Sequence, residues 1–351
     1  MAWVLLDAAF VLSRMGRAAA ERGVRGSLRQ RLPRATRLAV VALLTVNAGA
    51  VLAARAFTHI VPAAGRTSPA YRQSLLGKAQ SFLRETRLIR PRRRGPAPPG
   101  LVYEQHTIPV GPGLSLAAWL IPKPDARGLV VLFHGYANNK SQLVPAAHAF
   151  YALGYETLLV DFRASGDSGG DATSIGFHES EDVRRAFEHA QWRAGDRPVL
   201  LFGVSMGAAA VLKAVGRDGL RPAALIVEAP FDRLLSTVGH RFRARGVPAF
   251  PGAHLLVFWG GAQLGFNGFA HNPVDYAAGV PSPALLLSGG ADPYVRAEEA
   301  RAIYDALAGV KEMHVFEGVG HRGLAGARTT EWRRVVESFL GRVLATRVSH
   351  S

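Results

Sequence analysis

The stretch PVLLFGVSMGAAA, residues 198–210, decides how this chain folds. Its short continuous apolar run reads as a strand buried on both faces, and the Ala-rich segment after Ser205 reads as a helix. Between them, Gly203-Val204-Ser205-Met206-Gly207 must turn the chain sharply. A serine at the apex of such a turn is held in a strained backbone conformation, and glycine two residues to either side keeps strand and helix from colliding. The helix beginning at Met206 aims its free N–H groups at the place where negative charge would develop during attack by Ser205. The spacing marks Ser205 as a candidate nucleophile.

Similar runs recur on either side, at 128–135 (GLVVLFHG), 155–162 (YETLLVDF), 223–230 (AALIVEAP), 283–290 (PALLLSGG) and 311–318 (KEMHVFEG). Helix-length segments at 141–152, 178–193, 206–216, 297–308 and 330–345 separate most of them. Upstream, 101–110 and 114–122 flank a Gly-Pro-Gly turn and read as a hairpin. Strands alternating with helices predict an α/β fold: a mostly parallel sheet, right-handed crossovers and helices on both faces. Chemistry in such sheets gathers at the C-terminal ends of the strands.

Three motifs lie there: His134-Gly135-Tyr136, then Asp161-Phe162-Arg163-Ala164-Ser165-Gly166-Asp167-Ser168, then the Ser205 turn. Through them the chain resembles the α/β-hydrolase superfamily over about residues 101–346. Within it, the likeness is to the serine aminopeptidase-like and monoglyceride-lipase-like branch, in which a cap follows the sixth strand. The resemblance implies an α/β-hydrolase fold and an esterase, lipase, thioesterase or peptidase that needs no cofactor. It also implies an oxyanion hole made by two backbone N–H groups, those of Tyr136, just after Gly135, and of Met206, just after the nucleophile. His134 is then a structural residue of this loop. The loop at 161–168, with Ala164 where the family usually has glycine, is expected to brace the rim of the site through its turns and an Asp–Arg contact. No metal is expected, because Asp161, Asp167 and Asp171 lack the Gly and the distant bidentate Glu of a calcium loop.

A serine hydroxyl needs a histidine to take its proton, and the resulting imidazolium needs an oriented carboxylate. In this fold the chain order is Ser, acid, His. Six histidines follow Ser205. His240, His254 and His271 fall in the cap region, His314 alternates within a strand, and His350 lies in the tail. His321, in GVGHRG, sits on a Gly-rich loop that can present it to the serine. Asp292, in LLLSGGADPYV, directly follows a buried strand and is the expected acid. Glu228, ending the preceding strand in IVEAP, is the alternative, and Asp232 the third choice.

Composition bounds the rest. The 351 residues are 19% charged and 48% hydrophobic, which excludes a disordered or fibrous chain. A net charge of +16 suggests nucleic acid, but residues 1–100 hold 18 Lys+Arg against 3 Asp+Glu while the remaining 251 hold 24 against 23. The basic charge therefore lies outside the foldable part, and no nucleic-acid partner is expected. The absence of cysteine excludes disulfides, thiolate nucleophiles and Cys-ligated zinc.

Residues 38–54, LAVVALLTVNAGAVLAA, are uncharged and close to the length that spans a bilayer. Arg25, Arg29, Arg31, Arg34 and Arg37 precede the run, whereas only Arg55 and Arg66 follow it closely, so the positive-inside rule puts the N-terminus in the cytosol. The expected organisation is a basic cytosolic segment (1–37), a transmembrane helix or signal anchor (38–62), a basic Pro/Arg-rich linker (63–100) and the hydrolase domain (101–351) with its cap at about 233–272. Ala54-Arg55-Ala56 also resembles a cleavage site, so a secreted form and a soluble buried helix are the alternatives.

The cap segment is apolar and aromatic, with Phe242, Phe250, Phe258, Trp259, Phe266 and Phe269 beside Arg241, Arg243 and Arg245. It predicts a pocket for a small-molecule or lipid-like acyl substrate, in which an arginine contacts an anionic group. The leading expectation is a membrane-anchored carboxylesterase or lipase-like serine hydrolase. A serine aminopeptidase or amidase, an acyltransferase using the same acyl-enzyme and, from another class, a non-catalytic membrane scaffold are the alternatives. Acyl chain, leaving group and oligomeric state have no signature in the sequence.

Overall fold

The computed structural model describes residues 33–60 and 100–348. Most of the basic N-terminal segment and nearly all of the linker, including the run Arg92-Arg93-Arg94, lie outside the described residues. The apolar run forms helix α1 (Arg34–Thr58), 25 residues long with a mean hydropathy of 1.9 over its best 18-residue window. It starts earlier than the expected 38–62 and ends earlier too. The helix stops at Thr58 because His59 forms an antiparallel bridge with Ala172, and the Ile60 N–H then donates to the Asp171 carbonyl at 2.8 Å.

After the linker come β1 (Glu104–Gly111), β2 (Leu114–Ile121), β3 (Leu129–Phe133), α2 (Val144–Ala152), β4 (Glu156–Val160), α3 (Glu179–Ala194), β5 (Val199–Val204), α4 (Met206–Gly216) and β6 (Leu225–Glu228). They are followed by α5 (Leu234–Arg243), α6 (Gly252–Leu264), α7 (Pro273–Ala277), β7 (Ala284–Gly289), α8 (Ala297–Ala306), β8 (Lys311–Phe316), α9 (Leu324–Ala327) and α10 (Thr329–Val348). The strands make one sheet in the order β1-β2-β4-β3-β5-β6-β7-β8. The β1–β2 and β2–β4 pairs are antiparallel; every other pair is parallel.

Every residue of β3, β4, β5 and β6 is buried, which is why these strands read as mostly apolar runs; Glu156, Thr157 and Glu228 are the buried polar exceptions. Alternate side chains feed two cores. Val131, Leu158 and Leu201 pack toward α3, α4 and α8, while Val130, Leu159 and Leu200 pack toward α2 and α10. Each face holds several fully buried large side chains, and each such side chain stabilises the fold by about 1.5–3 kcal/mol relative to exposure.

The Asp–Arg contact expected of the loop after β4 is made, but with an aspartate outside the loop. The Asp161 carboxylate accepts the N–H groups of Lys140 at 2.7 Å and Asp167 at 2.9 Å, and it pairs with the Lys140 ammonium. Arg163 instead pairs with Asp182 of α3 at 2.6 Å. A wholly buried carboxylate needs several donors at once. The turn at 139–142 supplies the cation and one N–H from the neighbouring strand connection, and the loop itself supplies the other N–H from Asp167. Ala164 sits at φ +61°, in the left-handed region, which explains why glycine is usual there.

Glu228 at the end of β6 is also buried. Its carboxylate accepts the Leu324 N–H at 2.7 Å and the Trp332 indole N–H at 3.3 Å, tying β6 to α9 and α10. With no cation beside it among the described residues, burial pushes its pKa up to about 7.

Two stability predictions follow from these carboxylates. Lys140→Met strands Asp161 without its cation and should cost about 3–5 kcal/mol. Arg301→Met, which breaks an exposed pair with Asp305, should cost under about 1 kcal/mol; urea unfolding of both variants checks the contrast. For Glu228, the folded protein keeps a proton between about pH 4.5 and 7 that the unfolded chain has released. Stability is therefore unpenalised below about pH 4.5 and falls as pH rises toward 7, by a free energy on the order of 3 kcal/mol. Thermal unfolding should show that fall in the wild type and a flatter profile in Glu228→Gln.

Candidate active site

The turn between β5 and α4 is built by close approach. Ser205 has φ +53°, a conformation L-residues seldom adopt. A Cβ added at Gly203 would lie 2.6 Å from the Gly207 backbone, and one at Gly207 would lie 2.5 Å from the Phe133 carbonyl oxygen of β3. Neither position can carry a side chain without moving the backbone. The Ser205 N–H donates to the Glu228 carbonyl at 2.8 Å, so the neighbouring strand end pins the turn.

His321 approaches from the loop after β8. Its Nε2 lies 3.1 Å from Ser205 Oγ, and its Nδ1 lies 2.6 Å from Asp292 Oδ2. Asp292, in the loop after β7, uses its other oxygen to accept the N–H groups of Tyr294 at 2.8 Å and Val295 at 3.0 Å. Those two bonds fix the carboxylate, and the carboxylate in turn orients the imidazole. Glu228, the alternative acid, makes no hydrogen bond to His321; its two oxygens serve Leu324 and Trp332. His314, in β8, pairs with Glu331 at 2.8 Å. His271 is buried among Tyr276 and the Ile175 carbonyl, and burial lowers its pKa to about 4.

On the other side of Ser205 lies the segment 134–136. His134 is fully buried: Nε2 accepts the Phe162 N–H at 3.1 Å, Nδ1 lies 2.8 Å from the Gly135 carbonyl, and burial holds its pKa below the ordinary imidazole value. It joins the ends of β3 and β4. The Gly135 N–H donates to Gln142 Oε1 at 2.9 Å. A Cβ on Gly135 would sit 3.6 Å from the Ser205 Cβ, an ordinary contact, so steric necessity at Gly135 is weaker than at Gly203 or Gly207. It does locate this backbone beside the serine. Met206, as the first residue of α4, has an N–H with no partner within its own helix.

A cavity opens above Ser205, lined by Tyr136, Met206 and Ile175 and roofed by the segment between β6 and β7. Helices α5 and α6 contribute Leu234, Val238, Phe242, Val257 and Leu264, together with Arg241 and Arg245. Ala54, Phe57 and Thr58 complete the wall. The Phe57 carbonyl accepts the Tyr136 hydroxyl at 2.5 Å, and the Thr58 carbonyl accepts the Thr173 N–H at 2.8 Å. No Asp or Glu lines this cavity among the described residues.

The sequence pattern did not single out Lys140, Tyr294 or Phe57. Tyr294 stands two residues after Asp292, and its ring meets the His321 ring edge-on with centroids 5.5 Å apart. Lys140 lies six residues beyond His134, where a lysine in a loop between buried strands is the available signal. Phe57 gave none, since its partner lies 79 residues away.

A family model described as serine aminopeptidase, S33, matches residues 124–249. The chain is 32% identical over 218 residues to an uncharacterized protein of Mycobacterium tuberculosis, a match covering 60% of this chain and 69% of that one. It is 25% identical over 234 residues to a lysophosphatidylserine lipase of Macaca fascicularis, covering 62% of this chain and 57% of the lipase. Among solved structures, an esterase from Pyrococcus furiosus superposes with a TM-score of 0.61 at 23% identity, over 72% of this chain and 97% of the esterase, a likeness that speaks for the fold. With the strand order and the serine turn they accompany, these matches establish that the chain belongs to the α/β-hydrolase superfamily, as a serine hydrolase.

Proposed function

We propose that this protein is a membrane-anchored esterase, carboxylesterase or lipase-like, acting on esters with an apolar acyl chain. The observation that carries this reading is the cavity over Ser205, apolar along most of its wall and free of carboxylates among the described residues. Ser205 Oγ attacks the ester carbonyl as its proton passes to His321 Nε2, and Asp292 stabilises the imidazolium. The N–H groups of Tyr136 and Met206 hold the oxyanion; loss of one such donor typically costs about 3–4 kcal/mol. The imidazolium then protonates the departing alkoxide. Water, activated by the same imidazole, releases the acid from Ser205.

An aminopeptidase is the second reading, favoured by the family model that matches residues 124–249. A free amino terminus would need an acid in the pocket. Glu228 is occupied by Leu324 and Trp332, and Asp232 lies beside Arg233, so neither supports that reading. A lipid-like ester also agrees with the similarity to a lysophosphatidylserine lipase.

The anchor reading rests on the length and hydropathy of α1 and on the arginine excess before it. Cleavage near Ala54-Arg55-Ala56 would take away Ala54 from the cavity wall and leave Phe57 at a loose chain end. That favours an uncleaved anchor over a secreted form, with the N-terminus cytoplasmic and the hydrolase domain outside the cytoplasmic membrane.

Labelling, kinetics and membrane fractionation test these statements. Ser205→Ala should abolish labelling by a fluorophosphonate probe and lower turnover of acyl esters by several orders of magnitude. Asp292→Asn should lower kcat by about 10⁴-fold and Glu228→Gln far less. Equal labelling of wild type and Ser205→Ala overturns the nucleophile, a dead Glu228→Gln beside a near-normal Asp292→Asn transfers the acid role, and faster cleavage of aminoacyl anilides than esters replaces the esterase by a peptidase. For the anchor, the full chain should sediment with membranes and lose its hydrolase domain to protease added outside the cytoplasmic membrane. A soluble form beginning near Phe57 overturns the uncleaved anchor.

A further inference from the structure

Arg241 is set apart from the other cavity residues by what surrounds it. Its guanidinium lies over two aromatic rings, 5.1 Å from the Tyr294 centroid and 5.7 Å from the Tyr136 centroid. Among the described residues it makes no hydrogen bond or ion pair with a carboxylate. Asp292, whose charge it feels, is already committed to His321 and to two backbone N–H groups. Burial draws the guanidinium pKa below its usual value. Ring faces attract a cation by about 0.5–2 kcal/mol, but they accept none of its five hydrogen-bond donors. A half-buried guanidinium without a carboxylate partner is complementary to a carboxylate or phosphate, which takes two parallel N–H bonds.

Its position also says which half of the substrate carries that group. Arg241 stacks on Tyr294, and Tyr294 stacks edge-on against His321. His240, the preceding residue of α5, lies with Nδ1 3.1 Å from the Tyr294 carbonyl, which fastens this stretch of the cap to the loop of Asp292. Arg241 is thus on the His321 side of the cavity. In the cycle given above, His321 returns a proton to the departing alkoxide, so the alcohol half leaves on this side. The apolar walls from α6 and from Phe231 and Phe266 remain for the acyl chain.

We propose that Arg241 binds a phosphate or carboxylate on the alcohol half of the ester, making the natural substrates acyl esters of anionic alcohols. This rests on the esterase reading of Ser205 and His321. Arg241 is a specificity residue: it lowers KM for the anionic substrate by pairing with a group that does not react.

The test compares hexanoylglycerol with hexanoylglycerol phosphate, both dissolved as monomers, using the full chain in neutral detergent. The wild type should show a higher kcat/KM on the phosphate ester. Arg241→Gln should lower the phosphate-to-neutral ratio by about 30-fold or more, chiefly through KM. Arg241→Lys keeps the charge without the fork and should retain an intermediate ratio. The hemisuccinate ester of hexanoylglycerol tells carboxylate from phosphate, and a preference for either supports the subsite. A wild-type ratio near one, an equal loss on both esters in Arg241→Gln, or a Lys variant no better than Gln overturns it. Absence of any Ser205-dependent turnover of the neutral ester defeats the esterase reading itself, whereas turnover with an unchanged ratio defeats only the Arg241 subsite.

Discussion

The crowding of backbone at the turn between β5 and α4 is the constraint around which the site is arranged. Gly203 and Gly207 approach each other and the Phe133 carbonyl so closely that neither has room for a Cβ, and Ser205 is forced to φ +53°. Such a conformation costs of order 1–3 kcal/mol and persists only where its surroundings overdetermine it. Here β3 and β6 flank the turn, and the Glu228 carbonyl holds the Ser205 N–H. The serine is consequently presented above the C-terminal edge of the sheet, where the loops after β3, β7 and β8 converge on it.

Three carboxylates stand at or just beyond strand ends, and their surroundings give each a different task. Asp292 keeps one oxygen for two backbone N–H groups and one for His321, so it can stabilise a positive imidazole. Glu228 has no cation beside it among the described residues, and burial raises its pKa; its hydrogen bonds run to α9 and α10, away from the serine. Asp161 is neutralised by Lys140 and caps the turn at 139–142. The 161–168 loop is thereby a brace, together with the Arg163–Asp182 pair on its outer side.

The cavity joins pieces of very different origin. Its roof is the insertion between β6 and β7, and part of its wall is the final turn of the N-terminal apolar helix. Tyr136 links these parts: its hydroxyl reaches the Phe57 carbonyl, its ring lies under Arg241, and its backbone follows Gly135 beside Ser205. Its hydroxyl is buried and its pKa raised, so it acts as a neutral donor. The 134–136 segment is accordingly held by contacts that reach both the end of α1 and the cap.

The sequence by itself determined those features whose cause is local. Strands buried on both faces are mostly apolar, so β3, β5 and β7 were legible as runs, and the alternation with helices fixed the α/β class. The need for Gly203 and Gly207 arises within five residues and could be read from spacing. The same held for the apolar length of α1, although its end was not legible, because a bridge to Ala172 and not loss of hydrophobicity stops it. Tertiary structure decided everything that depends on which strand ends are neighbours. Asp292 and Glu228 look alike as acids after apolar strands, yet one faces His321 and the other faces Trp332, 104 residues away. Asp161 takes Lys140, Arg163 takes Asp182, and Phe57 meets Tyr136, for the same reason. A buried polar group must bond to whatever donor or acceptor the fold brings within about 3 Å, and that distance is set by the packing of the sheet, not by separation along the chain.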